Sequence, residues 1–296
     1  MRDSAAVSVP ATSANLGPGF DALGLALDLR DHYEVEVTGT DVVVHVSGQD
    51  AAALPRDHTH LVARALLATA TELGAPLEGF VLTCENNIPQ GRGLGSSAAA
   101  IVGGVTLAAT LADETDPGRL LDIATRLEGH PDNVAPALLG GFTIAWLDEG
   151  VGNAVALPVH PDVVPVIFVP ERTSPTSAAR SALPATVPHR DAAFNVGRSA
   201  LLVAALTSAP ELLLAATADR LHQDQRSGTY PEASKLVSAL RAQGLAAVVS
   251  GAGPSVLVLT DRQSADSVAA QAPAGYEGRV AEVGVGAVTR ESDASD

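Results

Sequence analysis

The sequence predicts an α+β fold, and three observations carry that expectation. Stretches with the two-residue alternation of strands and stretches with helical spacing are mixed, without the strict strand–helix repeat of a doubly wound sheet. A length of 296 residues suits one large domain or two closely joined ones, with a sizeable core. The chain is 46% hydrophobic and 18% charged, a globular composition, yet only 3% aromatic, so Ala, Val and Leu must fill that core.

The elements follow in order. HYEVEVT, residues 32–38, alternates as a half-buried strand, and VVVHV at 42–46 is expected to pair with it. Residues 59–73 suggest an amphipathic helix with Leu61, Ala65, Ala68 and Leu73 on its apolar side. GFVLTCENNIP, 79–89, reads as a strand running into a turn, with Cys84 as core packing, and the alanine-rich stretch after Ser97 as a buried helix. Asp116 and Pro117 have the character of an N-cap and first helical residue, followed by an apolar stripe of Leu120, Ala124 and Leu127. GGFTIAWL (140–147) and VVPVIFVP read as strands, and 194–206 and 232–242 as helices. AAVVSGAGPSVLVLT reads as two strands around a glycine-rich turn. Pro158, Pro161 and Pro165 suggest a junction between two halves, and the tail from Arg290 is polar.

Charge and composition narrow the function. A net charge of −16 repels nucleic acid and anionic membranes, so neither is an expected partner. A single cysteine rules out an intrachain disulfide and a cysteine-rich zinc site. The start shows no secretory pattern and no apolar run reaches spanning length, so the cytoplasm is the expected location.

PQGRGLGSSA, 89–98, places three alternate glycines before a helix. A helix start leaves backbone N–H groups without partners and carries the positive end of the dipole. Glycines just upstream let a phosphate approach that end closely. The only lysine, Lys235, lies outside any Walker A or protein-kinase context, and G-x-G-x-G is not the dinucleotide fingerprint. A nucleotide held here needs another architecture.

Three further stretches accompany this one: SANLGPGFDALGLAL at 13–27, EGHPDNVAPALLGGF at 128–142 and SGAGPSVLVL at 250–259. With PQGRGLGSSA they resemble, in order and over nearly the whole chain, the motifs of the GHMP small-molecule kinases, and EGHPDN resembles the homoserine kinases within them. The resemblance implies a two-domain GHMP kinase fold. Its N-terminal, ATP-binding part (1–155) would be ribosomal protein S5 domain 2-like, and its C-terminal part (156–296) ferredoxin-like. It further implies ATP and Mg²⁺, phosphorylation of the L-homoserine hydroxyl in threonine biosynthesis, and a homodimer in many members. A sister kinase acting on a shikimate- or mevalonate-like alcohol is the alternative.

Residue roles follow from the same resemblance. Pro89, Gly91, Arg92, Gly93, Leu94, Gly95, Ser96 and Ser97 form the expected nucleotide segment, and Ser97 with Glu128 the expected Mg²⁺ ligands. Asn15 and Asp21 flank a Gly-Pro-Gly bend; by themselves they suit an Asx-turn, and under the resemblance both bind substrate, with Asp21 meeting its ammonium. His130 and Asp132 are expected in the substrate pocket. The same stretch has a structural reading in which Gly129 ends one helix and Asp132 caps the next, with Pro136 in its first turn. Thr176, Arg180 and Arg226 match further substrate positions, the two arginines gripping carboxylate or γ-phosphate, with Arg180 also a catalytic candidate. Asn133 stands where related kinases such as mevalonate kinase use an aspartate base. It implies in-line transfer by positioning and charge neutralisation, without a dedicated carboxylate base.

Overall fold

A computed structural model of the protein describes residues 2–172 and 181–290. Its larger sheet has seven strands: β1 (Ser4–Ala14), β2 (Leu23–Val37), β3 (Val42–Gly48), β4 (Phe80–Asn86), β5 (Phe142–Asp148), β6 (Val151–Leu157) and β11 (Val288–Arg290). β2 is long enough to serve two neighbours on the same side. Leu23–Leu25 pairs with β5 and His32–Val37 with β4. The register against β1 shifts between Pro10 and Ala11, which bends the pair. The 42–46 segment does form a strand, but it runs parallel beside β4 rather than pairing with β2. Both edges of that half of β2 are already taken, by β1 and β4.

Four helices pack on this sheet: α1 (Leu61–Glu72), α2 (Ser96–Ala112), α3 (Pro117–Glu128) and α4 (Pro131–Leu139). α1 buries Val62, Ala63, Ala65, Leu66, Thr69 and Ala70, so its core stripe is rotated from the expected one and Ala68 is exposed. In α3, Asp116 caps as expected, accepting from the Gly118 amide at 2.9 Å, and Gly129 ends the helix in the left-handed region. Leu127, expected in the stripe, is 40% exposed, because Leu121 and Ile123 take the buried face with Leu120 and Ala124.

α4 starts earlier than the capping reading expected. Pro131 takes its first turn, where a missing N–H leaves nothing unsatisfied, so Asp132 is inside the helix rather than capping it. Pro136 then falls within the helix.

The smaller sheet is antiparallel, in the order β10 (Tyr276–Val280), β7 (Val164–Pro170), β9 (Val256–Thr260), β8 (Ala246–Val249). Its alternation feeds two cores. Ile167, Leu257 and Val248 join the main core shared with the larger sheet, whereas Val166, Phe168 and Val258 face a second cluster. Among the described residues this half carries the helices α5 (His189–Thr207), the short α6 (Leu213–Ala216), α7 (Pro231–Ala242) and α8 (Ala265–Ala269). β6 spans the expected domain border at 155/156, and β11 returns to the larger sheet beside β1. Cys84 is fully buried and burial pushes its thiol up to about 12, as a packing residue should be. Among the described residues no helix is long and apolar enough to cross a membrane.

Candidate active site

The loop between β4 and α2 forms one wall of a cavity of about 270 Å³. Gly93 and Gly95 both lie at positive φ, 76° and 67°. A Cβ on Gly93 would strike the Ser250 carbonyl, and one on Gly95 would strike Thr12 Oγ1, so only glycine lets the loop pass. Gly95 caps α2 without a side-chain bond. The amides of the first turn therefore have no intrahelical partner, and that turn carries no acidic residue. In a chain of net charge −16, this is a local positive end that a phosphate can use.

The base of the loop is fixed from β2. Asp31 is fully buried, and its Oδ1 accepts from the amides of Asn87 (2.6 Å) and Ile88 (2.8 Å), while Tyr33 Oη donates to Oδ2. Of the expected nucleotide residues, Gly91, Gly93, Gly95, Ser96 and Ser97 line the cavity. The other three do not. Leu94 is core, Pro89 borders a second cavity, and the Arg92 guanidinium donates to the carbonyls of Gln90, Pro170 and Glu171 at 2.9–3.0 Å. Arg92 thus fastens the loop to the end of β7.

On the opposite wall, the end of α3 and the start of α4 converge. Ser97 Oγ donates to Glu128 Oε1 at 2.6 Å, which brings the two expected Mg²⁺ ligands together. Burial pushes the Glu128 carboxyl above its usual range, partly offset by the Ser97 hydrogen bond. His130 Nδ1 lies 2.7 Å from Asp132 Oδ1. A carboxylate can only accept, so Nδ1 carries the proton and Nε2 is the acceptor of the neutral ring. Asn133 accepts from Thr12 Oγ1 on Oδ1 (2.8 Å), and its Nδ2 donates to Asp132 Oδ1 (3.3 Å).

The third wall is the bend after β1. Asn15 and Asp21 both line the cavity and both have positive φ. Asn15 is 4% exposed; its Nδ2 donates to the Gly251 carbonyl and its Oδ1 accepts from the Asp21 amide, each at 3.0 Å. It ties the first and third glycine-rich stretches and aims Asp21. Ser250 adds to the tie, with Oγ donating to the Gly93 carbonyl at 2.6 Å. Arg226 reaches the cavity from the smaller-sheet half, 3% exposed, its guanidinium 4.9 Å from the Phe20 ring centroid. Thr176 and Arg180 lie outside the described residues.

Two contributors escaped the sequence reading: Thr12 and Asp31. Neither sits in a motif that names its role. Thr12 is one buried position in β1, and only the fold sets it beside Asn133.

Two family models match the chain, the GHMP kinases N terminal domain at residues 60–141 and the GHMP kinases C terminal at 200–278. Named relatives span most of it. A homoserine kinase of Streptomyces avermitilis is 51% identical over 91% of this chain and 90% of its own length. One of Clavibacter michiganensis is 56% identical over 86% and 81%. Among solved structures, homoserine kinase from Cytophaga hutchinsonii superposes with a TM-score of 0.87 at 28% identity, covering 98% of each chain. Mevalonate diphosphate decarboxylase from Staphylococcus aureus, at 14% identity and a TM-score of 0.70, shares the fold.

Proposed function

The chain belongs to the homoserine kinases of the GHMP kinase family, and from that premise we propose that it transfers the γ-phosphoryl group of ATP to the hydroxyl of L-homoserine. The product is O-phospho-L-homoserine, a step towards threonine. The observation that carries this reading is the single cavity where an acid-free helix start, the Ser97–Glu128 pair, Asn133, Asp21 and Arg226 face one another.

The glycine loop and the first amides of α2 cradle the phosphates. Ser97 and Glu128 would hold Mg²⁺, which would neutralise phosphate charge there. Their oxygens already converge, and a half-buried carboxyl that tends to keep its proton gains from a cation. Asp21 meets the substrate ammonium, and the acceptor Nε2 of His130 suits the same group. Arg226, with Thr176 and Arg180, takes the carboxylate or the γ-phosphate.

Asn133 orients the reacting hydroxyl. Thr12 occupies its Oδ1, so its Nδ2 is the end turned to neighbouring acceptors, and an amide cannot take up the hydroxyl proton usefully. The proton leaves to phosphate or water. A loose phosphoryl-transfer transition state asks mainly for alignment and charge neutralisation, which this set supplies.

The test is an ADP-release assay with ATP, Mg²⁺ and a panel of homoserine, threonine, shikimate and mevalonate, with the product identified by ³¹P NMR. Homoserine should lead in kcat/KM by at least about 100-fold, as expected of a site that pairs both charged ends of its substrate. A preference for shikimate or mevalonate would overturn the assignment.

A further inference from the structure

The turn from Asp219 to Arg226 is built around one carboxylate. Asp219 is fully buried at its side chain. Its Oδ1 accepts from Asn195 Nδ2 (2.7 Å) and the Leu221 amide (3.0 Å). Its Oδ2 accepts from the amides of His222 (3.1 Å) and Gln223 (2.8 Å), and lies 3.8 Å from His222 Nε2. Burial pushes this carboxyl up, but His222 and these donors outweigh it and hold it below its usual range. Three consecutive amides converging on one carboxylate fix the backbone of the turn much as an N-cap fixes a helix start.

The same turn is pinned to the bend that carries Asp21. His222 Nε2 lies 2.7 Å from the Gly17 carbonyl, so that nitrogen must carry a proton. The His222 ring packs 5.2 Å from the Phe20 ring. Asn195, which grips Asp219, also donates to the Pro18 carbonyl at 3.2 Å, and Ser199 Oγ does so at 2.8 Å. Beyond this knot the Arg226 amide donates to the His222 carbonyl at 3.0 Å, and its guanidinium lies over Phe20. Gln223 Oε1 accepts from the Val249 amide at 2.7 Å, which fastens the turn to β8.

We propose that Asp219 and His222 are positioning residues: the Asp219 carboxylate shapes the turn that delivers Arg226, and the His222 ring locks that turn onto the Gly17–Asp21 bend. Two elements far apart in sequence are thereby held at one spacing, with Asp21 on one and Arg226 on the other. That spacing measures the distance between the charged ends of the amino-acid substrate. The inference rests on the reading of Asp21 as the contact to the substrate ammonium and, of the two roles open to Arg226, on the one at the substrate carboxylate. It places neither Asp219 nor His222 in contact with substrate.

The test compares Asp219→Asn, His222→Phe and His222→Gln with the wild-type enzyme, by kinetics and by amide hydrogen exchange. Phe keeps a ring against Phe20 but loses the donor to Gly17; the Gln side chain restores a donor. Asp219→Asn and His222→Phe should raise the homoserine KM about tenfold or more, with the ATP KM and kcat within about threefold, since alignment of one substrate is what suffers. His222→Gln should stay within about threefold of wild type on both. Amides at 17–21 and 221–223 should exchange faster in the two damaging variants and elsewhere stay unchanged. Both KM values rising together, a homoserine KM that does not move, or no rescue by Gln would overturn the proposal. If Asp219→Asn does not fold, the His222 pair decides. If the wild type does not act on homoserine, the functional reading fails, and unchanged exchange at 17–21 would separately refute the lock.

Discussion

Thr12 Oγ1 spends its proton on Asn133 Oδ1, and this single bond leaves Nδ2 as the end of the amide turned to other acceptors. Replacing Asn133 with Ala should lower kcat roughly 10- to 100-fold with the homoserine KM changed less than about threefold, the pattern of lost alignment. Thr12→Val should give a smaller loss of the same kind, about 3- to 10-fold, because Asn133 remains but is no longer held. Steady-state kinetics checks both; a kcat unchanged by Asn133→Ala would remove that residue from the reaction. Glu128 makes a pH prediction. Burial favours its protonated form, so the proton stays on to higher pH than on an exposed glutamate. A cation must displace that proton, so apparent Mg²⁺ affinity should rise with pH above the ordinary glutamate range. Titration of activity with Mg²⁺ at several pH values should show this slope in the wild type and lose it in Glu128→Gln. At this scale the sequence displayed most of the side chains that line the cavity, because Asn15, Asp21, Ser97, Glu128 and Asn133 sit in glycine-punctuated motifs. It did not display Thr12 or Asp31, whose partners Asn133 and Asn87–Ile88 are distant in the chain.

Among the elements, α2 is the one on which the proposed phosphate site rests, and Gly95 caps it. Alanine there would occupy a left-handed conformation and collide with Thr12 Oγ1, 3.2 Å from Asn133 Oδ1 as well. Gly95→Ala should destabilise the protein by about 1–3 kcal/mol and raise the ATP KM, as denaturant unfolding and kinetics would show. Asp116→Ala offers the contrast. It removes the α3 cap and should cost about 1 kcal/mol with kinetics intact, since that cap lies at the far end of α3 from Glu128. Cap signals were legible in the sequence because Asp-Pro and Gly act locally. Strand partnership was not. β3 alternates as expected, but pairing with β4 instead of β2 depends on which edge is open, and β1 and β4 together occupy both edges of that half of β2. The apolar face of α1 was misread for a related reason. In an alanine-rich helix nearly every side carries small apolar residues, and the packing partner chooses among them.

At the scale of the whole molecule, two sheets share one core and the cavity lies where their glycine-rich loops meet. The tail returns to brace the larger sheet, with Arg30 donating to the carbonyls of Ser8, Val285 and Gly286 at 2.7–2.8 Å. No local pattern in the sequence announced that return. Net charge was legible, and it sets a testable expectation. A field of −16 charges repels ATP at long range, whereas the proposed grip by the α2 amides would act at contact. Raising salt to about 0.15 M shortens the screening length to about 8 Å and should leave the ATP KM level or lower it. A steep rise would point instead to a cluster of cationic side chains as the main phosphate grip. The most direct measurement is a crystal structure with Mg²⁺, a non-hydrolysable ATP analogue and homoserine. It should place the phosphates against the amides of 93–97, the ion at Ser97 and Glu128, and the substrate hydroxyl beside Asn133. Phosphates bound elsewhere, with those amides facing only water, would contradict the account.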